Sequence, residues 1–324
     1  MSSTDLVSLD KSALEKENIN FRKVEKKHKV QNTITYVVLA LSTITVVSIL
    51  LVILITIFLG GYEKVTWEFL TGVPEKGMTE GGIFPGIFGT VLLVILMAIF
   101  CIPVGTVTAI YLVEYSKKDS ILYKIINLSV NTLAGIPGII IGLFGLSFFV
   151  VTVGGTIDSV FYGGKLVWGK PALIWAGLTM GVLTMPVVIV TVKEALESVP
   201  ETLKEAAFSL GATKSETILK VVLPKAMTGV FTGSILAISR GSGEVAPILF
   251  TGVAYFLPYL PSSLTDQFME LGYHIYVMST QSVDVDATLP IQFATTLVLL
   301  SLTFLLNILA IILRRRLRKT LATI

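Results

Sequence analysis

Long uncharged runs divide this chain at near-regular intervals. No Asp, Glu, Lys or Arg falls between Lys29 and Glu63, Glu80 and Glu114, Lys124 and Asp158, Lys170 and Lys193, or Asp286 and Arg314. A sixth run, from Lys225 to Asp266, holds only Arg240 and Glu244. A helix needs about 20 apolar residues to cross a hydrocarbon core of roughly 30 Å. The pattern therefore predicts six spans, near 34–59, 84–112, 127–153, 171–192, 227–252 and 289–313. Stretches such as Val46–Leu59 show no alternation of polar and apolar positions, which excludes the short, alternating strands of a membrane barrel. Helices satisfy their own backbone hydrogen bonds in lipid. The expected fold is an all-α membrane protein of six transmembrane helices.

Composition agrees. Of the 324 residues, 53% are hydrophobic and 15% charged, against about 25% charged in soluble domains, and the mean hydropathy is +0.82. A polar tail, Met1 to Gln31, precedes the first span, which argues against a cleaved signal peptide; its first ten residues read as unstructured. The organisation expected is a polar tail over 1–32, a transmembrane domain over 33–319 with a large loop at 193–225, and a short end at 320–324.

Lys and Arg set the orientation. Twenty of them fall on the side of the two termini, including Lys11, Lys16, Arg22, Lys23, Lys26 and Lys27 in the tail, and four (Lys64, Lys76, Lys165, Lys170) on the other. Both termini are thus expected in the cytoplasm. The outer side carries nine acids: Glu63, Glu68, Glu75, Glu80, Asp158, Asp266, Glu270, Asp284 and Asp286. They are either the positive-inside rule seen from outside or a docking surface for an extracytoplasmic partner.

Several chemistries find no support. The single cysteine, Cys101, has no partner, and His28 and His274 fall on opposite sides of the membrane, so no metal site is expected. Gly164-Lys165 is followed by Leu166 rather than the Ser or Thr of a phosphate-cradling loop, and no H-E-x-x-H or G-x-S-x-G occurs. The chain is not expected to hydrolyse nucleotide itself, and a membrane enzyme or signalling subunit is the weaker alternative.

The loop from Lys193 to Lys225 carries its own helical signals. Pro200 suits a helix start, and Leu203, Ala206, Ala207 and Leu210 recur on one helical face. Gly211 is placed to end that helix in the left-handed region. Thr213 and Glu216 match a capping box, Ile218, Val221 and Val222 give the second helix its apolar face, and Pro224 is expected to terminate it. Five bases balance five acids here, leaving no footprint for nucleic acid. The residues alone leave open whether this helix–turn–helix covers the bundle or docks a partner.

Its spacing, Glu205-Ala206-Ala207, then Gly211, then Val221-x-Leu223-Pro224, resembles the E-A-A…G…I-x-L-P loop of ABC importer permeases. The resemblance implies that Glu205, Ala206, Ala207, Gly211, Leu223 and Pro224 couple the chain to a cytoplasmic ATPase made separately. ATP and Mg would bind that partner, with no cofactor in this chain.

Within the sixth run, Arg240 and Glu244 stand four residues apart, a spacing that places them on one helical face. An Arg at such depth costs on the order of 3 kcal/mol by insertion scales, so it usually faces a bundle interior or a watery path. The pair is either a self-neutralising structural contact or a translocation site. In the second reading Arg240 offers its fork to a tetrahedral oxyanion, and Glu244 positions it or accepts the proton of a phosphate hydroxyl. Gly241, Ser242 and Gly243 between them permit local unwinding.

Gly243-Glu244-Val245-Ala246-Pro247-Ile248-Leu249-Phe250-Thr251-Gly252 resembles the G-E-T-A-P-L-L-F-T-G segment of A-type permeases of phosphate-specific (Pst) ABC transporters, with Val245 for Thr. Gly81-GIFPGIFGT, Asn131-TLAGIPGIIIGLFGL and Asn307 before Arg314-RRLRK resemble other parts of that family, so the likeness covers about residues 35–319. It implies a type I importer permease fold, a C-type sister permease, an ATPase dimer, an extracytoplasmic phosphate-binding protein, and phosphate as substrate. A permease for molybdate, sulfate or phosphonate is the alternative within transport.

Overall fold

A computed structural model describes residues 3–282 and 284–321; side chains at 3–27, 30, 77, 313 and 317–321 fall outside the description. The tail bases Lys11 to Lys27, with Arg318, Lys319 and residues 322–324, therefore lie outside it too. The chain forms two compact units, Met1–Ile57 and Phe58–Ile324.

The first unit is the greater part of α1 (Ser3–Gly61). Its backbone is helical from Ser3, where the sequence reads as unstructured over ten residues. The reason is local: no Gly or Pro interrupts the chain before Gly60. From Ile34 to Leu59 its apolar side chains, Ile57 excepted, are exposed, as lipid contact requires.

In the second unit, α2 (Trp67–Thr71) is capped by Thr66, whose side chain accepts from Phe69 N. A two-residue antiparallel pair follows, with Pro74 opposite Gly81 and Glu75 opposite Glu80. Helix α3 (Phe84–Ile110) continues into a π-helical turn, Tyr111–Tyr115, to complete the second span. Next come α4 (Ile121–Gly135) and α5 (Gly138–Gly145), then a π-helical stretch at Leu146–Gly154 and α6 (Gly155–Phe161). Helix α7 (Leu173–Glu197) is the fourth span. The loop supplies α8 (Glu201–Ser209) and α9 (Lys214–Thr217); a π turn at Ile218–Val222 leads into α10 (Leu223–Gly241). The chain closes with α11 (Leu271–Gln281) and α12 (Val285–Leu321).

Among the described residues, six helices are long and apolar enough to cross a membrane, as the uncharged runs predict. Three boundaries differ by more than ten residues. The third span begins at Gly138, not near 127: Pro137 has no amide to donate and drives Ile136 out of the helical region, leaving α4 separate. Conversely, Pro224 does not end a helix, because the wide π turn before it absorbs the missing hydrogen bond and Lys214–Gly241 runs through as one span. The fifth span stops at Gly241 instead of reaching 252.

Leu93, Val94, Met97 and Cys101 of α3 pack with Met180, Leu183, Val188 and Val192 of α7 in the main core. Close approach depends on small residues, the usual device between membrane helices. A Cβ on Gly105 would lie 2.9 Å from Val188, and one on Gly229 of α10 would collide with Ala195. A second core joins Phe69, Ile83, Leu271, Met278 and Ile291 on the side opposite the loop.

Candidate coupling loop and translocation segment

The loop is built as its sequence predicts over its first half. Pro200 caps α8, and Gly211 takes φ +81°, the left-handed region that ends a helix. The Thr213–Glu216 capping box is complete, with both reciprocal bonds present. Glu205, Ala206 and Gly211 are exposed, and a Cβ on Gly211 would meet nothing within 4 Å. Leu203 and Leu210 also point outward, Leu210 at 89% exposure. Ala207 is the exception among the small residues: it is buried against the chain itself. Leu223 and Pro224 are half-buried at the base of span five.

The inward side of the loop is tied to span two. Lys204 Nζ lies 2.9 Å from Glu114 Oε1 and 3.2 Å from Glu201 Oε2. Lys214 Nζ sits over the Tyr115 ring, 4.9 Å from its centre. Burial alone would lower the Lys204 pKa; hydrogen bonds and charge from Glu114 and Glu201 outweigh it and raise the value. Sequence reading missed these contacts, since Glu114 shows only as the charge ending a span.

Arg240 and Glu244 do not share a helical face. Helix α10 ends at Gly241, where a Cβ would collide with Met97 Sδ of α3. Beyond it Gly243 is exposed, and Ala246–Ile248 form a single 3-10 turn. Arg240 occupies the last turn of α10, where its charge complements the helix dipole, and is exposed; Glu244 is half-buried. Neither makes an ion pair or a side-chain hydrogen bond with the described residues. The self-neutralising pair considered above is therefore absent.

Instead the 244–251 segment lies along the glycine face of α5. A Cβ on Gly138 would stand 2.9 Å from Glu244 Oε1 and 3.4 Å from Pro247 Cδ. One on Gly142 would stand 2.9 Å from Pro247 O, and one on Gly145 would collide with Thr179. Glu244 thus faces the N-terminal end of α5, whose dipole favours an anion. Polar contacts hold the other side of the break: Ser239 donates to Asn307 at 2.6 Å, and Ser242 to Thr303 at 3.4 Å, both on α12. Val245, with no hydroxyl, packs against Gly272. The two glycine-rich motifs singled out in the sequence are one packed unit.

One of the outer acids is buried. Glu270 is 3% exposed and caps α11, accepting from Gly272 N at 2.8 Å and Tyr273 N at 2.7 Å. Burial pushes its pKa up to about 7, against the lowering pull of these hydrogen bonds. His274, one turn on, is buried too, which brings it down to about 4. Asp158 is also inward, accepting from the amides of Val167, Trp168 and Gly169. No group of metal ligands forms among the described residues.

Six membrane-length helices with an E-A-A loop between the fourth and fifth define a transporter permease, and comparison with known proteins says which. A model of the binding-protein-dependent transport system inner membrane components matches residues 101–319; the chain belongs to this family of ABC importer permeases. The phosphate transport system permease protein PstA 1 of Mycobacterium tuberculosis is 30% identical over 253 residues, 76% of each chain. That likeness sets the chain among the PstA permeases. The phosphate transport system permease protein PstC of Mesorhizobium japonicum is 31% identical over 212 residues, 60% of this chain and 64% of that one. The fold matches a chain of a bacterial alginate ABC transporter, solved with an alginate-loaded periplasmic protein, at a TM-score of 0.65 and 15% identity, covering 89% of this chain and 96% of that one. The architecture is that of a type I importer.

Proposed function

We propose that this chain is one of two permease subunits that carry inorganic phosphate into the cell. The observation that supports it most directly is Arg240: charged, exposed and without a partner among the described residues at the end of α10, three residues before the Gly243–Gly252 segment that resembles PstA permeases. A guanidinium held there offers two parallel donors to a phosphate oxygen pair. Glu244, four residues on and likewise without a partner among the described residues, repels a fully deprotonated oxyanion and accepts the proton of a phosphate hydroxyl. Sulfate has no proton to give, so the same two residues favour phosphate.

The names of the relatives support the substrate, and likeness to both a PstA and a PstC protein fits a pseudo-twofold pairing with a C-type sister. Glu205, Ala206 and Gly211 present the surface on which a cytoplasmic ATPase dimer seats, with ATP and Mg held by that partner and no hydrolysis here. The termini lie in the cytoplasm. A phosphate-binding protein delivers the anion to the outer face, now without Glu270 and Asp158, whose carboxylates are buried.

The test is reconstitution of the four-component transporter in vesicles. ATP-dependent accumulation of phosphate, lost with Arg240→Gln while the complex still assembles, supports the reading. Undiminished accumulation by that variant removes Arg240 from the path.

A further inference from the structure

A loop that receives a push from an ATPase needs a grip on the helices it moves. The 193–225 loop is joined covalently to spans four and five, but span two reaches it only through side chains and packing. At that junction two neighbouring residues of span two, Glu114 and Tyr115, are each engaged by a lysine from the loop. Lys204 of α8 meets Glu114 at 2.9 Å, and Lys214, first residue of α9, lies over Tyr115. The ion pair is sequestered: the Glu114 and Lys204 side chains are 8% and 12% exposed. Glu114 Oε1 is buried, and the Lys204 ammonium 2.9 Å away is the charge that compensates it.

The local backbone adds a second observation. Glu114 sits in the π-helical turn that ends span two, and the loop rejoins span five through another, Ile218–Val222. Such wide turns occur mostly as single insertions at functional positions. Meanwhile the opposite face of α8 is exposed at Ala206, as is Leu210 just past its end. One helix therefore offers an open face to a partner and a charged grip to span two.

We infer that the Glu114–Lys204 ion pair, seconded by Tyr115–Lys214, is the strut that transmits displacement of the coupling loop into span two. Glu114 and Lys204 are positioning residues, touching neither substrate nor nucleotide. Span two packs on Gly241 through Met97, so a shift of span two acts on the break that carries Arg240. The inference rests on the loop's proposed role as the ATPase seat.

The strut is tested in vesicles holding the complete transporter, by the ratio of phosphate accumulated to ATP hydrolysed. Glu114→Gln and Lys204→Gln are each expected to recover the ATPase on purification and to lower that ratio by about tenfold. The exchanged pair, Glu114→Lys with Lys204→Glu, restores it to within about twofold of the unmodified chain. A ratio unchanged in assembled single variants, or proportionate loss of both rates, makes the pair merely structural and overturns the strut. An exchanged pair as poorly coupled as the single variants overturns it too. Failure of the unmodified chain to recover any ATPase instead overturns the seat itself, and the strut falls with it.

Discussion

Adding one methyl group at Gly142 tests whether the fit of α5 against the 244–251 segment matters for transport. A Cβ there would lie 2.9 Å from Pro247 O and 3.1 Å from both Ala246 O and Pro247 Cα. Unstrained carbon contacts settle near about 3.5 Å or more, so the Ala246–Pro247 backbone must retreat by about half an ångström. Overpacking of this kind costs about 1–3 kcal/mol, while Ala for Gly in a helix returns about 1 kcal/mol. A net penalty of about 1 kcal/mol, the middle of a range of about 0–2, remains, and because the segment carries Glu244 it falls on the transport site. At about 1.4 kcal/mol per factor of ten, phosphate uptake by Gly142→Ala should fall roughly fivefold, with the complex inactivating at lower temperature. Gly155→Ala is the control, since a Cβ there meets nothing within 4 Å; it should transport normally. Initial rates of radiolabelled phosphate uptake, with membrane content measured in parallel, decide it. Equal uptake by the two variants would refute the packing argument.

Other outcomes follow from the same geometry. Ala206→Trp places a large ring on the open face of α8 without backbone strain, and should weaken ATPase recovery at least about tenfold, or 1.4 kcal/mol; Gly211→Trp should do the same, and normal recovery by both would remove the docking role. Charge-assisted hydrogen bonds contribute about 1.5–3 kcal/mol, so Arg240→Gln should lower uptake by roughly 10- to 100-fold while leaving assembly intact. Glu270 and His274 give opposite pH responses. Glu270, raised from 4.5 to about 7, holds a proton in the fold that the unfolded chain has lost, so its stabilisation is full below pH 4.5 and disappears as pH rises to 7. His274, lowered from 6.5 to about 4, stabilises above pH 6.5 and loses this as pH falls to 4. Between pH 4.5 and 6.5 the two slopes, each up to about 1.4 kcal/mol per pH unit, oppose each other. Thermal inactivation of Glu270→Gln should therefore ease as pH rises through that window and that of His274→Gln should worsen; slopes matching the unmodified chain in both would refute this.

Much of the fold was legible because charge is so costly in lipid that its absence marks each span. Local signals also held where they act over a single turn, as at Pro200, Gly211 and the Thr213–Glu216 box. What stayed hidden depends on neighbours far along the chain. The four-residue spacing of Arg240 and Glu244 implies one face only if the helix continues, and close packing of Gly241 on Met97 accompanies its end. Pro137 and Pro224 look alike in sequence, yet one separates two helices and the other follows a π turn within a continuous span. Glu270 reads with the outer acids because nothing nearby in the sequence marks it as buried, and Glu is not among the usual N-cap residues. The Glu114–Lys204 contact joins positions 90 residues apart and leaves no local trace.

The central claim is phosphate import, and uptake of radiolabelled phosphate tests it most directly. The assay uses cells lacking their own phosphate permeases, supplied with this chain, a C-type sister, the ATPase and the binding protein, with sulfate and molybdate as competitors. Uptake that requires this chain and resists a large excess of both competitors is the predicted result. Suppression of uptake by either oxyanion, or no uptake from a fully assembled complex, would contradict phosphate as the substrate while leaving the importer architecture in place.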